Sequence, residues 1–226
     1  MRKINSLDDF IKTFNNKKIL EEAFTHSSYA NEHHSSHNER LEFLGDAVLE
    51  LCMSDYLFNN YSLKEGEMTK KRAQSVCEEA LVMYAEKINL PKHIRLGHGE
   101  EISGGRLRPA IVADAFEAFL GAIYLDLGFE KAKEFFNFAV VPNIYEAETI
   151  IDYKSTLQEH VQADKRTLSY YIEKEDGPAH NRTFVACCDM EGIILGRGVG
   201  KTKKEAEQNA AKEALNKLVK NINVKE

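Results

Sequence analysis

The stretch NERLEFLGDAVLE (38–50) places Glu39, Glu42, Asp46 and Glu50 at successive offsets of three, four and four residues. At about 100° per residue, these offsets gather the four carboxylates into one helical stripe roughly 80° wide. Leu41, Phe43, Leu44, Ala47, Val48 and Leu51 take the remaining surface. Like charges one turn apart repel by about a few tenths of a kcal/mol per pair in water, and by far more when buried without partners. A second acidic pair, Asp114 and Glu117, lies inside IVADAFEAFLGAIYLD (111–126), a segment apolar almost all round, as a central buried helix is. One such acid is readily explained by a reach to the rim or by pairing with Arg106, Arg108 or Lys71. Two acids on one face, alongside a second acidic helix, are better explained by a shared cation. Carboxylate oxygens are hard ligands that suit Mg²⁺ or Mn²⁺. An all-carboxylate site of this kind is best fitted to displacement at phosphorus, in which metal charge activates water and stabilises the leaving oxygen.

The residue types also exclude chemistry. A di-iron bundle requires Glu-x-x-His, and neither ERLE (39–42) nor DAFE (114–117) supplies the histidine. His33, His34 and His37 crowd NEHHSSHNE (31–39), but no cysteine or distant ligand set completes a zinc site, so they read as a polar loop. Gly45, beside Asp46, fits a close approach of another backbone as well as it fits plain helix packing. GRGVGKTKKEAEQ (196–208) invites a phosphate-loop reading that fails, because Leu195 stands where the first glycine is required. Thr202 and Glu205 instead have capping-box spacing, which starts the closing helix at Thr202. Lys201, Lys203 and Lys204 surround the positive end of that helix and oppose its dipole unless an anion is present.

Two blocks of elements must position these groups. Up to about residue 147 the periodicity is helical, with helices expected over 7–14, 17–24, 38–60, 67–87, 109–127 and 130–146, and a long glycine-bearing loop at 97–106. Beyond it, a short helix near 154–162, strands in TLSYYIEKEDG, RTFVACCDM and GIILGRGVG, and a helix over 203–220 give the order α-β-β-β-α. Residues 1–147 are expected to form the helical domain, 148–152 a linker and 153–222 the second domain. The formal charge of −6 divides unevenly: residues 1–150 carry 17 Lys+Arg against 24 Asp+Glu, and residues 151–226 carry 13 against 12. The four cysteines show no C-x-x-C spacing and no disulfide framework, there is no apolar run of membrane-spanning length, and MRKINSLDDFIKTF is no secretory leader. A cytoplasmic protein with reduced thiols, no membrane association and no nucleotide cofactor is expected.

NERLEFLGDAVL (38–49), THSSYANE (25–32), EGEMTKKRA (65–73) and SGGRLRPAIVADAFEAFLGAIYLD (103–126) together resemble, in order, the ribonuclease III family. DYKSTLQE (152–159), GPAHNRTF (177–184) and GKTKKEAEQNAA (200–211) resemble a double-stranded RNA-binding domain, so the likeness covers nearly the whole chain in the bacterial two-domain layout. Ser169, where proline is common, and Lys71, where an apolar residue is common, depart from the pattern without touching an acid position.

The resemblance implies an all-α endonuclease domain followed by an α+β RNA-binding domain, acting as a homodimer that hydrolyses both strands of duplex RNA. It implies 5′-phosphate ends, short 3′ overhangs, Mg²⁺ dependence with Mn²⁺ as substitute, and a role in processing ribosomal RNA precursors and other structured RNAs. It maps metal-coordinating acids onto Glu42, Asp46, Asp114 and Glu117, with Asp46 and Glu117 catalytic and Glu39 and Glu65 auxiliary. Phe43 matches the position whose ring enters the partner subunit. Ser155, Gln158, Glu159 and Gln162 match a helix touching one minor groove, His180 a loop reaching the next, and Lys201, Lys203 and Lys204 the contacts to major-groove phosphates. Two alternatives stand beside this reading: an inert duplex-binding regulator, and a helical nucleotide pyrophosphohydrolase, which would have no use for the second domain.

Overall fold

A computed structural model describes residues 6–147, 153–163, 166–177 and 182–222. The chain divides into two compact units, Met1–Ile150 and Ile151–Glu226.

The first unit is helical. It comprises α1 (Leu7–Thr13), α2 (Lys17–Ala23), α3 (Ser27–His33), α4 (Glu39–Asn60), α5 (Glu65–Ser75), α6 (Glu78–Lys87), α7 (His98–Ile102), α8 (Pro109–Leu127), α9 (Phe129–Ala139) and α10 (Ile144–Ala147). Helix α8 is the axis. Pro109 opens it at a position where no N–H is needed, and Gly128, at φ +86, ends it. Its Phe116 and Phe119 are fully buried and meet Phe135 of α9, which also takes Phe10 of α1 edge-on at 5.2 Å. Asp126 near its end accepts backbone N–H bonds from Asn15 (2.7 Å) and Asn16, fixing the entry to α2.

Three expectations are corrected. The helix expected over 67–87 is two helices, α5 and α6, divided at Val76–Cys77. The buried Tyr84 hydroxyl donates to the Ser75 carbonyl across that break, so tertiary packing turns the chain where no glycine or proline announces it. The helix expected over 130–146 ends at Ala139, because Pro142 sits in a 3₁₀ turn over Val141–Asn143 before α10. The loop at 97–106 contains α7 and is tied down. Ser28 Oγ accepts from Gly97 N (2.9 Å), Glu32 from His98 N (2.9 Å), and Arg106 donates to the carbonyls of Pro91 (2.7 Å) and Ile94 (2.8 Å) and pairs with Glu101. Helix α3, capped by the His26 ring, is too short and polar to show in the periodicity.

The second unit runs α11 (Tyr153–Ala163), β1 (Leu168–Asp176), β2 (Thr183–Met190), β3 (Ile193–Gly200), α12 (Lys203–Ile222), with an antiparallel sheet in the order β1-β2-β3. Glu191 (φ 53) and Gly192 (φ 88) make the β2–β3 turn. Leu157, Ala186, Cys188, Ala206, Ala210, Ala211 and Ala214 form its core. Helix α12 lies almost on the backbone of β3: a Cβ at Gly198 would fall 2.1 Å from Ala210 N, and one at Gly196 would fall 2.2 Å from Ala210 O. The glycines that suggested a phosphate loop are therefore packing glycines, facing a row of alanines. Helix α12 also covers the exposed edge of β3. Glu213 accepts from Arg197 N (2.6 Å) and Asn209 donates to Val199 O (2.8 Å). Among the described residues all four cysteines are free thiols, and no helix is long and apolar enough to cross a membrane.

Candidate active site and RNA-binding surface

The acidic residues meet where α4 crosses α8. A Cβ at Gly45 would lie 1.8 Å from the Glu117 carbonyl oxygen, and one at Gly121 would lie 2.4 Å from the Leu41 carbonyl. Only glycine at both positions permits this backbone-to-backbone approach. Gly45 is flanked on its own helix by Leu44 and Asp46, with Glu42 one turn earlier, and it touches the backbone of Glu117. The contact thus sets the acids of the two helices side by side.

Their electrostatics reflect that proximity. Burial first, then the charges of Asp46, Glu42 and Asp114, push the Glu117 carboxyl up to about 8. Burial, then Glu78 and Glu39, push Asp114 up to about 6. Glu42 is raised by burial and by Asp114, Glu39 and Asp46. Among the described residues, the neighbouring charges that raise these three groups are all acidic. The cations that might have paired with them are engaged elsewhere. Arg108 meets Glu100 at 2.6 Å, Arg106 meets Glu101, and Lys71 lies over the Tyr61 ring at 4.6 Å.

Among the described residues no three His, Cys, Asp or Glu side chains converge closely enough to hold an ion. The donor set itself suits a hard dication: it is all oxygen and, at Glu42, Asp114 and Glu117, partly desolvated. Glu39 belongs to the cluster through its charge on Glu42 and Asp114, and its carboxylate lies 3.7 Å from His37 Nδ1. Glu50 is exposed on the same helix. Glu65 stands apart from the four at the start of α5, accepting from Thr69 Oγ1 at 3.2 Å. Sequence reasoning missed Gly121 and Glu78. Gly121 could have been found as the only glycine of an otherwise apolar helix four residues after Glu117. Glu78 gave no local signal.

Phe43 is 82% exposed, projecting from the helix that carries the acids. A groove of about 540 Å³ opens between α4 and α5, lined by Leu51, Phe58, Met68, Thr69, Glu65 and Arg72. Leu51 and Phe58 are more than half exposed, so α4 carries an apolar outer stripe beside its acidic one.

In the second unit, Thr202 caps α12 by accepting from Glu205 N (3.1 Å), and Glu205 accepts from Lys201 N (2.6 Å). Lys201, Lys203 and Lys204 are exposed there. Gln158 sits half-buried on α11. The side chains of Ser155, Glu159 and Gln162, and the whole of His180, lie outside the described residues.

Comparison with known proteins follows the same division. The Ribonuclease-III-like family matches residues 16–144, and the double-stranded RNA binding motif matches residues 153–218. Ribonuclease 3 of Listeria monocytogenes serovar 1/2a is 53% identical over 213 residues, covering 91% of this chain and 93% of that protein. Ribonuclease 3 of Bacillus cereus is 54% identical over 213 residues, covering 91% of this chain and 87% of its own. Among solved structures, the nuclease domain of ribonuclease III from Campylobacter jejuni is 38% identical with a TM-score of 0.54, over 66% of this chain and 100% of that one. That structure is described as flexible in a region involved in dimer formation.

Proposed function

The chain belongs to the ribonuclease III family, and from that premise we propose that it is a Mg²⁺-dependent endoribonuclease that hydrolyses phosphodiester bonds in both strands of duplex RNA. The products are 5′-phosphate ends with short 3′ overhangs, and the substrates include ribosomal RNA precursors and other structured RNAs. The observation that carries this reading is the contact of Gly45 with the Glu117 backbone. It holds Glu42 and Asp46 beside Asp114 and Glu117, and the charges that raise Glu117 are those of Asp46, Glu42 and Asp114. Glu42, Asp46, Asp114 and Glu117 would hold the cation, Mn²⁺ substituting for Mg²⁺. When bound, it supplies Lewis-acid charge to a scissile phosphate and makes water a stronger nucleophile.

The chain's own contribution is positioning. Helices α4 and α8 are locked together through backbone contact, so the carboxylates cannot drift apart by more than rotamer changes allow. Glu117, the most desolvated of the raised acids, holds a proton on its carboxyl near neutral pH until positive charge replaces it. Glu39 and Glu65 act as auxiliary acids. The active assembly is a homodimer, supported by the exposed Phe43 ring and the apolar groove on the same helix, which suit a second copy better than water. The second unit binds duplex RNA through α11, the β1–β2 loop and Lys201, Lys203 and Lys204. Such domains read A-form shape over about 16 bp, largely without sequence preference.

The test is a long end-labelled RNA duplex incubated with the parent protein, Asp46→Asn and Glu117→Gln, with Mg²⁺ or EDTA. Paired cuts by the parent only with Mg²⁺, and intact binding without cleavage by both variants, are the expected results. Binding without cleavage by the parent under Mg²⁺ or Mn²⁺ would replace this reading with that of an inert duplex-binding regulator.

A further inference from the structure

At the start of α12, Lys203 has a defined carboxylate partner. The Lys203 ammonium is 2.8 Å from the carboxylate of Glu175, near the end of β1, and lies over the ring of Phe184 at 5.6 Å. Arg182, next to β2, reaches the same carboxylate at 3.5 Å. Glu175 pairs directly with Phe184 across the β1–β2 ladder, so the sheet fixes the carboxylate opposite the helix start. These cations hold its carboxyl below the usual range, with the Lys203 hydrogen bond as the largest cause. A full negative charge, built on a strand, thus occupies an ammonium proposed to contact the RNA backbone.

We infer that Glu175 is an internal competitor for phosphate, occupying Lys203 and Arg182 in the free protein and setting the strength of duplex binding by having to be displaced. The inference rests on the proposed role of Lys203 in contacting RNA. A phosphate oxygen and a carboxylate oxygen make the same charge-assisted bond to an ammonium, so the two compete on equal chemical terms. The duplex gains the contact only after the internal pair opens. Binding therefore carries the cost of opening that pair, while the number of phosphates neutralised, which sets the salt dependence, stays the same. The consequence is a brake on retention: the second unit holds duplex RNA less tightly than its lysine count suggests, which favours release of cleaved product.

The sheet supplies a matched control. Glu173, two residues earlier on the same strand, pairs with Arg197 at 3.1 Å. Neutralising either glutamate changes net charge by one, but Glu173→Gln releases Arg197 whereas Glu175→Gln releases Arg182 and, at the α12 corner, Lys203.

The experiment measures equilibrium binding of the full-length protein to a duplex in Ca²⁺, across a salt series, for the parent, Glu175→Gln, Glu173→Gln, Lys203→Ala and the Glu175→Gln/Lys203→Ala double variant. Glu175→Gln is expected to bind roughly threefold to fivefold more tightly at low salt, the range an exposed ion pair is worth. Its salt slope should stay near the parent's, because both proteins neutralise the same phosphates once the pair has opened. Glu173→Gln should stay near the parent, and the gain should vanish in the Lys203→Ala background. Weakening by Lys203→Ala, together with unchanged or equal effects of the two glutamate variants, would overturn the competitor while leaving the RNA-binding reading intact. Parent-like binding by Lys203→Ala would instead remove the premise, and the inference with it.

Discussion

Both units press a helix against a neighbouring backbone through glycine, and they use the contact in opposite ways. In the second unit, Gly196, Gly198 and Gly200 lie against Ala206 and Ala210, and the contact buries only neutral groups. The charges around it are paired off: Lys154 with Glu207 at 2.6 Å, Lys203 with Glu175, Arg197 with Glu173. In the first unit, Gly45 and Gly121 bring α4 and α8 together, and the partly buried carboxyls of Glu42, Asp114 and Glu117 are each raised by burial and by neighbouring acids. The first contact is a solution for stability. The second opposes stability locally, and such a conflict persists where the site has work to do. The difference teaches that close packing alone does not mark function; close packing that concentrates unpaired charge does.

The largest effect that would sharpen this contrast is chemical. Asp46→Asn or Glu117→Gln should lower cleavage by a factor of roughly 10²–10⁴, the range for removing a positioned charged group, with duplex affinity unchanged in a binding assay. Next is packing. Gly45→Ala requires α4 and α8 to part and should destabilise the first unit by about 3 kcal/mol or more, with cleavage lost, whereas Gly198→Ala should lower only the melting of the second unit by a similar amount. Calorimetry that resolves the two units checks this, and equal effects of both variants on one transition would break the comparison.

A smaller effect lies in pH dependence without divalent ions. The Glu117 carboxyl sits at about 8 in the folded state against an ordinary 4.5. Between those values the folded protein holds the extra proton, so its stability falls as pH rises. The loss by pH 8.5 should be on the order of 2 kcal/mol, less than the whole shift would give because the carboxyl is partly wetted. Denaturant unfolding in EDTA should show this decline in the parent and a flatter profile in Glu117→Gln; parallel profiles would remove Glu117 from the buried cluster. The smallest is the α12 cap. Thr202→Ala should cost about 1 kcal/mol in the second unit, measured by its midpoint, and leave the first unchanged.

Much of this was legible in the residues. The acidic stripe of α4, the pair on α8 and the α-β-β-β-α order all follow from periodicities that burial and charge impose directly, whereas Gly45 fitted close approach and plain helix packing equally well. The break at Val76–Cys77 was not legible, because it is set by Tyr84 reaching Ser75 and by neighbouring helices, not by a local breaker. Gly121 and Glu78 were missed because their meaning depends on which helix crosses which. Helix α7 and the tethers of the 97–106 loop depend on Ser28 and Glu32, some seventy residues away in the chain. Gly196, Gly198 and Gly200 do not complete a phosphate loop. Their two-residue spacing, opposite alanines spaced by four, is the pattern of a helix laid on a strand.

The central claim is that the carboxylates facing one another across Gly45 and Gly121 hold a divalent cation. Calorimetric titration of the full-length protein with Mn²⁺, for the parent and for Asp46→Asn and Glu117→Gln, tests it most directly. Saturable binding by the parent that is weakened at least tenfold in both variants, with their folds intact by circular dichroism, is the predicted result. Equal Mn²⁺ affinity in all three proteins would contradict the account.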